Sequence, residues 1–567
     1  MPNFSVKTFM GQLPRLTRRL LPANNSFQAW NCEIIDGDLR PTRYSVAEGS
    51  VWDENDPPET LQAYYDDTGT FRGWLSLPYW INEFIVRPLP NDEYDRIYYL
   101  SETGELLVTD HASLTFNSPN GNRITIDSFQ PAGLPAPAPA PSAVVASIGT
   151  NTPLFDASYV ITYVDKYGAE GPASNASNLV QVTSNGVVTV TNNDPSPPAH
   201  AVSWRIYRAI TGSETTDFLY VGEQSIGNPN WNDDYDGKIP GEALPTEDWF
   251  PPENGLQGLC HVGNGVIAAF KENTVYFCEQ YLPNAWPPAY RVAVGADIVN
   301  ICAVANSVIA LTNSTPYVVS GALPQNPQSQ KIPTEEACVS KKSVVTKGST
   351  AIYASPNGVT AVGLGSFTLM TEQSLTRQQW EDHDPPTIRM FPFRESILVS
   401  YGDITDPTVY DYSNASYPNA GIMILDPGAE GYLTYHEVGS DYGVSRPHDE
   451  TFFWALKNDG NGDWELYEFN PTEARGGVNG EFTWRSKIFQ APRPIAINSA
   501  QVDAQAYPVF MRVWADSAVH WAGYVTNDRA FKLPPGKHKF WEFDLTGTGT
   551  VYDVAIATSV RDLADQV

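Results

Sequence analysis

The chain is poor in the residues on which most catalytic and metal chemistry depends: it has 5 cysteines, 6 methionines and 8 histidines in 567 residues. Cys32, Cys260, Cys278, Cys302 and Cys338 are odd in number and show no C-x-x-C spacing. This argues against a disulfide framework or a thiolate zinc site and points to buried free thiols in a reducing cytosol. No apolar run approaches the ~18 residues of a membrane-spanning helix. The opening segment MPNFSVKTFMGQLPRLTRRLLP lacks the continuous apolar stretch of a signal peptide, so export by the general secretory route is not expected. Positive charge is scarce as well. With 35 Lys and Arg against 65 Asp and Glu, the net charge of −30 argues against a phosphate-gripping surface. It suits solubility, and it is compatible with a wall past which DNA slides. The signatures G-x-S-x-G, G-x-x-x-x-G-K-[ST] and H-E-x-x-H are all missing.

What the chain does have is turn residues and β-formers. Its 42 Gly, 46 Pro and 12% aromatic content accompany many Thr, Val and Tyr, the composition of an all-β fold with many turns. A strand-turn-strand unit recurs as VIAAFKENTVYF from Val266, VIALTNSTPYVV from Val308, AIYASPNGVTAV from Ala351 and SILVSYGD from Ser396. The centres, Ile267, Ile309, Ile352 and Ile397, are about 40–45 residues apart, the period of a four-stranded propeller blade. Weaker copies centre on Ile97 and Phe453, the latter set off by an insertion between Asp403 and Asn419. Such a blade cannot bury both faces alone, so the expected architecture is a β-propeller of about six blades.

The organisation that follows has five parts. Residues 1–130 are an N-terminal arm and the first blade region, with a hairpin in NCEIIDGDLRPTR turning at Asp36-Gly37. Residues 131–141, PAGLPAPAPAP, read as a semi-rigid Pro/Ala spacer. Residues 142–245 have the short strands of an inserted fibronectin-III-like β-sandwich, 246–494 hold the remaining blades, and 495–567 form a C-terminal β-sandwich. The strand around Trp484 to Phe489 is a candidate to join the N-terminal hairpin and close the ring.

Candidates for chemistry are weak. Asn232, Asp234, Asp236 and Gly237 match half a calcium loop, but Ala243 stands where the bidentate carboxylate is needed. Asp459, Asn461 and Asp463 are followed by Trp464 in place of the required Gly. Asp382-His383-Asp384 and His448-Asp449-Glu450 have a metal-ligand composition without a second His, and read as solvated loop charges. Tyr64-Tyr65, Tyr79-Trp80 and Tyr98-Tyr99 read as packing between blades before they read as glycan platforms. No catalytic, cofactor-binding or metal residue is assigned, and no cofactor is called for.

Both ends of the chain resemble virion proteins of short-tailed bacteriophages, the tail nozzle or head-to-tail stabilisation group. The segments are GQLPRLTRRLLPANNSFQAWNCEIIDGDLRPTR at the start, and FTWRSKIF with FKLPPGKHKFWEFDLTGTGTVYDVAIATSVRDLA at the end. In between, ITYVDKYGAEGPASNAS and WRIYRAITG are similar to the fibronectin-like insert of such proteins. The tract PAPAPAP departs from the pattern. The resemblance implies a non-enzymatic structural subunit of the virion tail, assembled in the host cytoplasm as a homohexameric ring. Its implied partners are a head-to-tail adaptor, tail fibre, spike or needle proteins, and DNA passing through without specific binding. Arg15, Arg18 and Arg19 of the arm are the candidate partner-docking residues. The rival reading is a polysaccharide-degrading or receptor-binding tail propeller, and a third is a cellular propeller scaffold.

Overall fold

The computed structural model describes residues 3–116, 121–210, 217–235, 240–245, 248–320, 325–402, 420–426, 432–437, 439–440, 442–457 and 462–564. The fold is all-β; among the described residues the α-helices are two single turns, Arg377–Glu381 and Val560–Ala564. The insertion between Asp403 and Asn419, and Asp236, Gly237, Asp459 and Asn461 of the weak calcium motifs, lie outside the described residues.

Among the described residues seven largely antiparallel units succeed one another along the chain. Unit one is the hairpin Thr60–Tyr65 and Phe71–Leu77, extended by backbone bonds between Trp74 and the segment 122–124. Unit two is Ile85–Val86, Ile97–Leu100, Leu106–Thr109 and Gln130–Pro131. Units three, four and five are simple four-stranded sheets spanning 257–293, 298–331 and 345–369. Unit six runs from Arg389–Phe393 through Ser396–Tyr401 and Gly421–Leu425 to Leu433–His436. Unit seven has three of its own strands, Gly443–Arg446, Thr451–Lys457 and Trp464–Glu468, and takes its fourth, Val46–Trp52, from the N-terminal side.

Each of the six repeat centres read from the sequence lies in the second strand of its sheet. These strands are apolar throughout because they are covered on both faces, and the alternation of side chains divides each between two cores. In Val266–Lys271, Ile267 and Ala269 pack toward units one and two, whereas Val266, Ala268 and Phe270 pack toward unit four. Ile309 and Leu311 then face unit five, Ile352 and Ala354 face unit six, and Leu398 meets Phe452 and Trp454 of unit seven. The last core joins Phe453 and Ala455 of unit seven to Trp74 of unit one. The inter-unit cores therefore run in a cycle.

Residues 142–245 form a separate sandwich of a three-stranded and a four-stranded sheet around Tyr159, Ile161, Val188, Trp204 and Ile206. The Pro/Ala tract before it is docked. Leu134 is buried in the sandwich core, and the Gly133 carbonyl lies 3.0 Å from a ring nitrogen of His200.

The N-terminal 41 residues and the end of the chain share one core, in which Val6, Phe9, Ala29, Cys32 and Leu39 pack against Trp484, Trp541, Phe543 and Val554. Asp36 and Gly37 both have positive φ, 56° and 86°, as the tight hairpin turn requires. That hairpin pairs with Val551–Ala557, not with the strand around Trp484. Phe482–Ser486 instead pairs with Asn25–Trp30, which also touches unit six through Trp30 and Tyr435. Met10–Gln12 pairs with Asn25–Trp30 and meets Leu433, so the arm joins the sheet of unit six to the terminal module.

Candidate functional site

The entry strands of six units and, for unit two, residues 80–83 just before its first strand line one cavity of about 620 Å³. Polar side chains fix its wall by substituting for ladder bonds. Gln62 donates to the Phe84 carbonyl at 2.9 Å and accepts from the Phe84 N–H at 2.8 Å. Thr60 hydroxyl donates to the Tyr79 carbonyl and accepts from the Ile81 N–H, at 2.8 and 2.9 Å. Asn82 donates to the Ile301 carbonyl at 3.0 Å, and Asn300 donates to the Lys341 carbonyl at 2.8 Å.

Charge is unevenly distributed around the cavity. Lys342 Nζ and Arg389 Nη2 both reach Glu59 Oε2, at 2.9 and 3.2 Å. Burial alone would raise the Glu59 pKa, but the hydrogen bonds and charges of Lys342 and Arg389 outweigh it and hold the carboxyl below its ordinary value. Two cations thus share one carboxylate. Glu83, from unit two, is accessible to the cavity but surrounded by protein; burial pushes it up to about 7, only partly offset by the His261 N–H. Burial also lowers His261 and raises the thiols of Cys260 and Cys302. At neutral pH those thiols remain protonated and poorly nucleophilic. The arrangement is suited to binding a polar molecule.

The three arm arginines have different surroundings. Arg18 pairs with Glu542 at 3.4 Å and lies 4.1 Å from the Phe27 ring centre. Arg15 is exposed and donates to the Glu372 carbonyl, while exposed Arg19 lies over Phe540 at 4.7 Å.

Of the two His-carboxylate motifs, Asp382, Asp384, His448 and Glu450 are exposed, as solvated loop charges should be, whereas His383 is not. His383 is 1% exposed; its Nδ1 lies 2.7 Å from the Gln379 carbonyl, and its ring packs on Trp380 and Tyr401. The cause is the short capped helix beginning at Thr376, which turns His383 inward. His448 stacks on Tyr65, and Asp449 is held by Arg446 and Arg475. Asn232 and Asp234 lie in a strand paired with Val187–Thr191, where Asn232 accepts from Thr189. Tyr64, Tyr98 and Tyr99 are buried packing residues, whereas Trp80 lines the cavity with Lys341 Nζ 5.0 Å from its ring centre.

Sequence reasoning missed Glu59, Glu83, Lys342 and Arg389, which are dispersed over more than 300 residues. The available signal is positional: each lies at or just before the entry strand of a unit.

No family model and no curated protein matches the chain. Solved structures give weak likenesses. Kluyvelomyces marxianus Hsv2 is 9% identical with a TM-score of 0.26, over 51% of this chain and 74% of that one. Apo AztD from Citrobacter koseri is 13% identical with a TM-score of 0.23, over 68% and 94%. An exo-β-1,3-galactanase from Phanerochaete chrysosporium is 8% identical with a TM-score of 0.17, over 90% and 99%. At such scores none bears on fold or function.

Proposed function

We propose that the seven units are the blades of one β-propeller, and that the protein is a non-enzymatic subunit of a short bacteriophage tail, forming an oligomeric nozzle ring below an adaptor. Support for the propeller comes from the cycle of inter-unit cores and from unit seven, whose fourth strand is supplied by the N-terminal side, hydrogen-bonding the two ends of the array together.

The observation that carries the tail reading is the convergence of the two resembling end segments. The arm strands 10–12 and 25–30, the 32–41 hairpin and the strands 482–486, 537–547 and 551–557 assemble into one module. A module built from both chain ends and joined to the propeller by a continuous sheet is suited to holding subunits in register. The central cavity of one subunit cannot be a DNA conduit. Its 620 Å³ is crossed by the Glu59, Lys342 and Arg389 side chains, while a duplex presents a major groove alone about 12 Å wide. A conduit must therefore lie between subunits, which makes oligomerisation a requirement of this reading.

Negative-stain imaging of the purified chain, alone and with the adaptor, tests it. A ring of six copies with a central pore is the expected outcome. A monomer that does not associate, or one that turns over a surface glycan, overturns it.

A further inference from the structure

Where unit two, the inserted sandwich and unit three meet, three tyrosines from distant stretches of sequence line one cleft of about 400 Å³. Tyr94 lies between the strands Ile85–Val86 and Ile97–Leu100, Tyr167 in the turn that follows Phe155–Asp165, and Tyr281 in the turn Glu279–Leu282. Leu89 and Pro90 add apolar wall, and Asn91 and Glu93 are exposed polar members of the lining. Tyr94 meets Tyr167 edge to face with ring centres 5.2 Å apart, while Tyr94 and Tyr281 remain 36% and 46% exposed.

The cleft is held in shape before any ligand arrives. Asp92 accepts from the Arg96 N–H and Nε at 3.1 and 2.8 Å, and the His111 N–H bonds the Tyr94 carbonyl at 3.2 Å. Tyr281 has a φ of 60°, a left-handed backbone that is costly for an aromatic residue. Its turn lies on Gly265, where a Cβ would come within 2.7 Å of the Tyr281 ring.

We propose that this cleft binds a neutral carbohydrate, the C–H face of a sugar ring stacking on the open tyrosine rings and its hydroxyls bonding Asn91 and Glu93. A volume of about 400 Å³ falls in the range of small-molecule pockets, about 300–1,000 Å³. Arg96 and Lys166 already lie over the Tyr167 ring, 5.4 and 4.7 Å from its centre, so a cationic ligand would meet their charge. An anion would meet the carboxylates of Asp92 and Glu93. A wholly apolar ligand would strip water from Asn91 and Glu93 and return no hydrogen bond. A neutral ring with an apolar face and peripheral hydroxyls avoids all three costs. The proposal is of binding without turnover, so it stands apart from the tail assignment.

The test is saturation-transfer NMR and titration of the full-length protein with glucose, N-acetylglucosamine, maltotriose, cellotriose and chitotriose, with tetramethylammonium as the cationic rival. Saturable binding of at least one sugar is expected, with transfer strongest to its ring C–H protons. Tyr94→Ala and Tyr281→Ala should each weaken it about fivefold or more, whereas Tyr94→Phe and Tyr281→Phe, which keep the ring, should hold it within about twofold. Tyr524→Ala, at a 69% exposed tyrosine of the terminal module, should leave it unchanged. Both cleft rings are partly exposed, so the Ala variants should melt near the parent. Tyr281→Gly, which takes a positive φ without strain, makes the same deletion should Tyr281→Ala melt lower. Tighter binding of a trisaccharide than of its single ring assigns the cleft to a glycan chain, and equal affinity assigns it to a free sugar. No sugar binding at about 10 mM, above the millimolar range of weak complexes, overturns the proposal. So does binding that survives both Ala substitutions, an equal loss in Tyr524→Ala, or a preference for tetramethylammonium over every sugar.

Discussion

Arg18 reaches Glu542 across 524 residues of sequence, placing an N-terminal cation 3.4 Å from a carboxylate already gripped by both ends of the Arg485 guanidinium at 2.8 and 3.0 Å. Glu542 is 4% exposed, so its ionised carboxyl needs these partners. Replacing Glu542 by Gln should destabilise the terminal module by about 2 kcal/mol, as loss of a charged hydrogen-bond partner does. Arg18→Ala should cost less, about 1 kcal/mol, because Arg485 remains. Arg15→Ala and Arg19→Ala, at exposed positions, should stay within about 0.5 kcal/mol of the parent. Chemical denaturation of the four variants checks the order. If docking to an adaptor depends on the arm, the two exposed arginines should account for most of it.

The propeller reading makes its repeat centres indispensable. Ile309 and Ile352 are 0% and 3% exposed and belong to different inter-unit cores. An aspartate at either site places an unpaired charge between two sheets, a loss of several kcal/mol against a total stability of about 5–15 kcal/mol. Both substitutions should abolish the cooperative melting transition of the propeller. A sharp transition near that of the parent would show that these residues are not core.

The repeat was legible because a strand covered on both faces must be apolar at every position, and that pattern recurs wherever one unit packs between two others. Unit one escaped notice for a physical reason. Its hairpin, Thr60–Leu77, is completed by residues 122–124, which come from between the third and fourth strands of unit two, so no fixed spacing marks it. The last strand of unit seven was hidden in the same way, since Val46–Trp52 comes from the other end of the array. Leu134 shows the limit of reading composition: a Pro/Ala tract has the chemistry of a spacer, yet one apolar side chain within it is enough to dock it. The cavity charges were illegible because convergence of Glu59, Lys342 and Arg389 depends on how units one, five and six pack around one cavity, which no local pattern encodes.

That docking predicts how the inserted sandwich behaves when excised. A fragment beginning at residue 142 omits Leu134, which is 1% exposed and packs with the sandwich core. A fragment beginning at residue 132 retains it. The longer fragment should be more stable by about 1.5–3 kcal/mol, the value of burying one large aliphatic side chain. Urea titration of both fragments measures the difference. Equal midpoints would place Leu134 outside the energetics of the sandwich.

His383 should make the fold acid-sensitive. Burial lowers its pKa from 6.5 to about 4, outweighing the Gln379 carbonyl and the Asp382 charge, which favour the protonated ring. The unfolded chain therefore binds a proton at higher pH than the folded chain does. Stability from this group is complete above about pH 6.5 and is lost as pH falls toward 4, by about 2 kcal/mol between pH 7 and pH 5. His383→Gln, which can still donate to the Gln379 carbonyl, should flatten that part of the stability profile relative to the parent. An unchanged difference between pH 7 and pH 5 would show that the ring is already protonated or not buried in solution.

A tail conduit must let DNA pass, and every Lys or Arg contact to phosphate adds affinity by releasing counterions. The chain carries 65 acidic against 35 basic residues, and many of its cations are already committed to carboxylates, as Arg18 and Arg485 are to Glu542 and Lys342 and Arg389 are to Glu59. The assembled ring should therefore show no measurable binding of duplex DNA at physiological salt, and lowering the salt should not restore it, since screening then protects the acidic wall less and repulsion grows. Fluorescence anisotropy of a labelled duplex across a salt series measures this. Tight binding that weakens steeply with salt would mean that the lumen grips phosphate, and the conduit reading would fall with it.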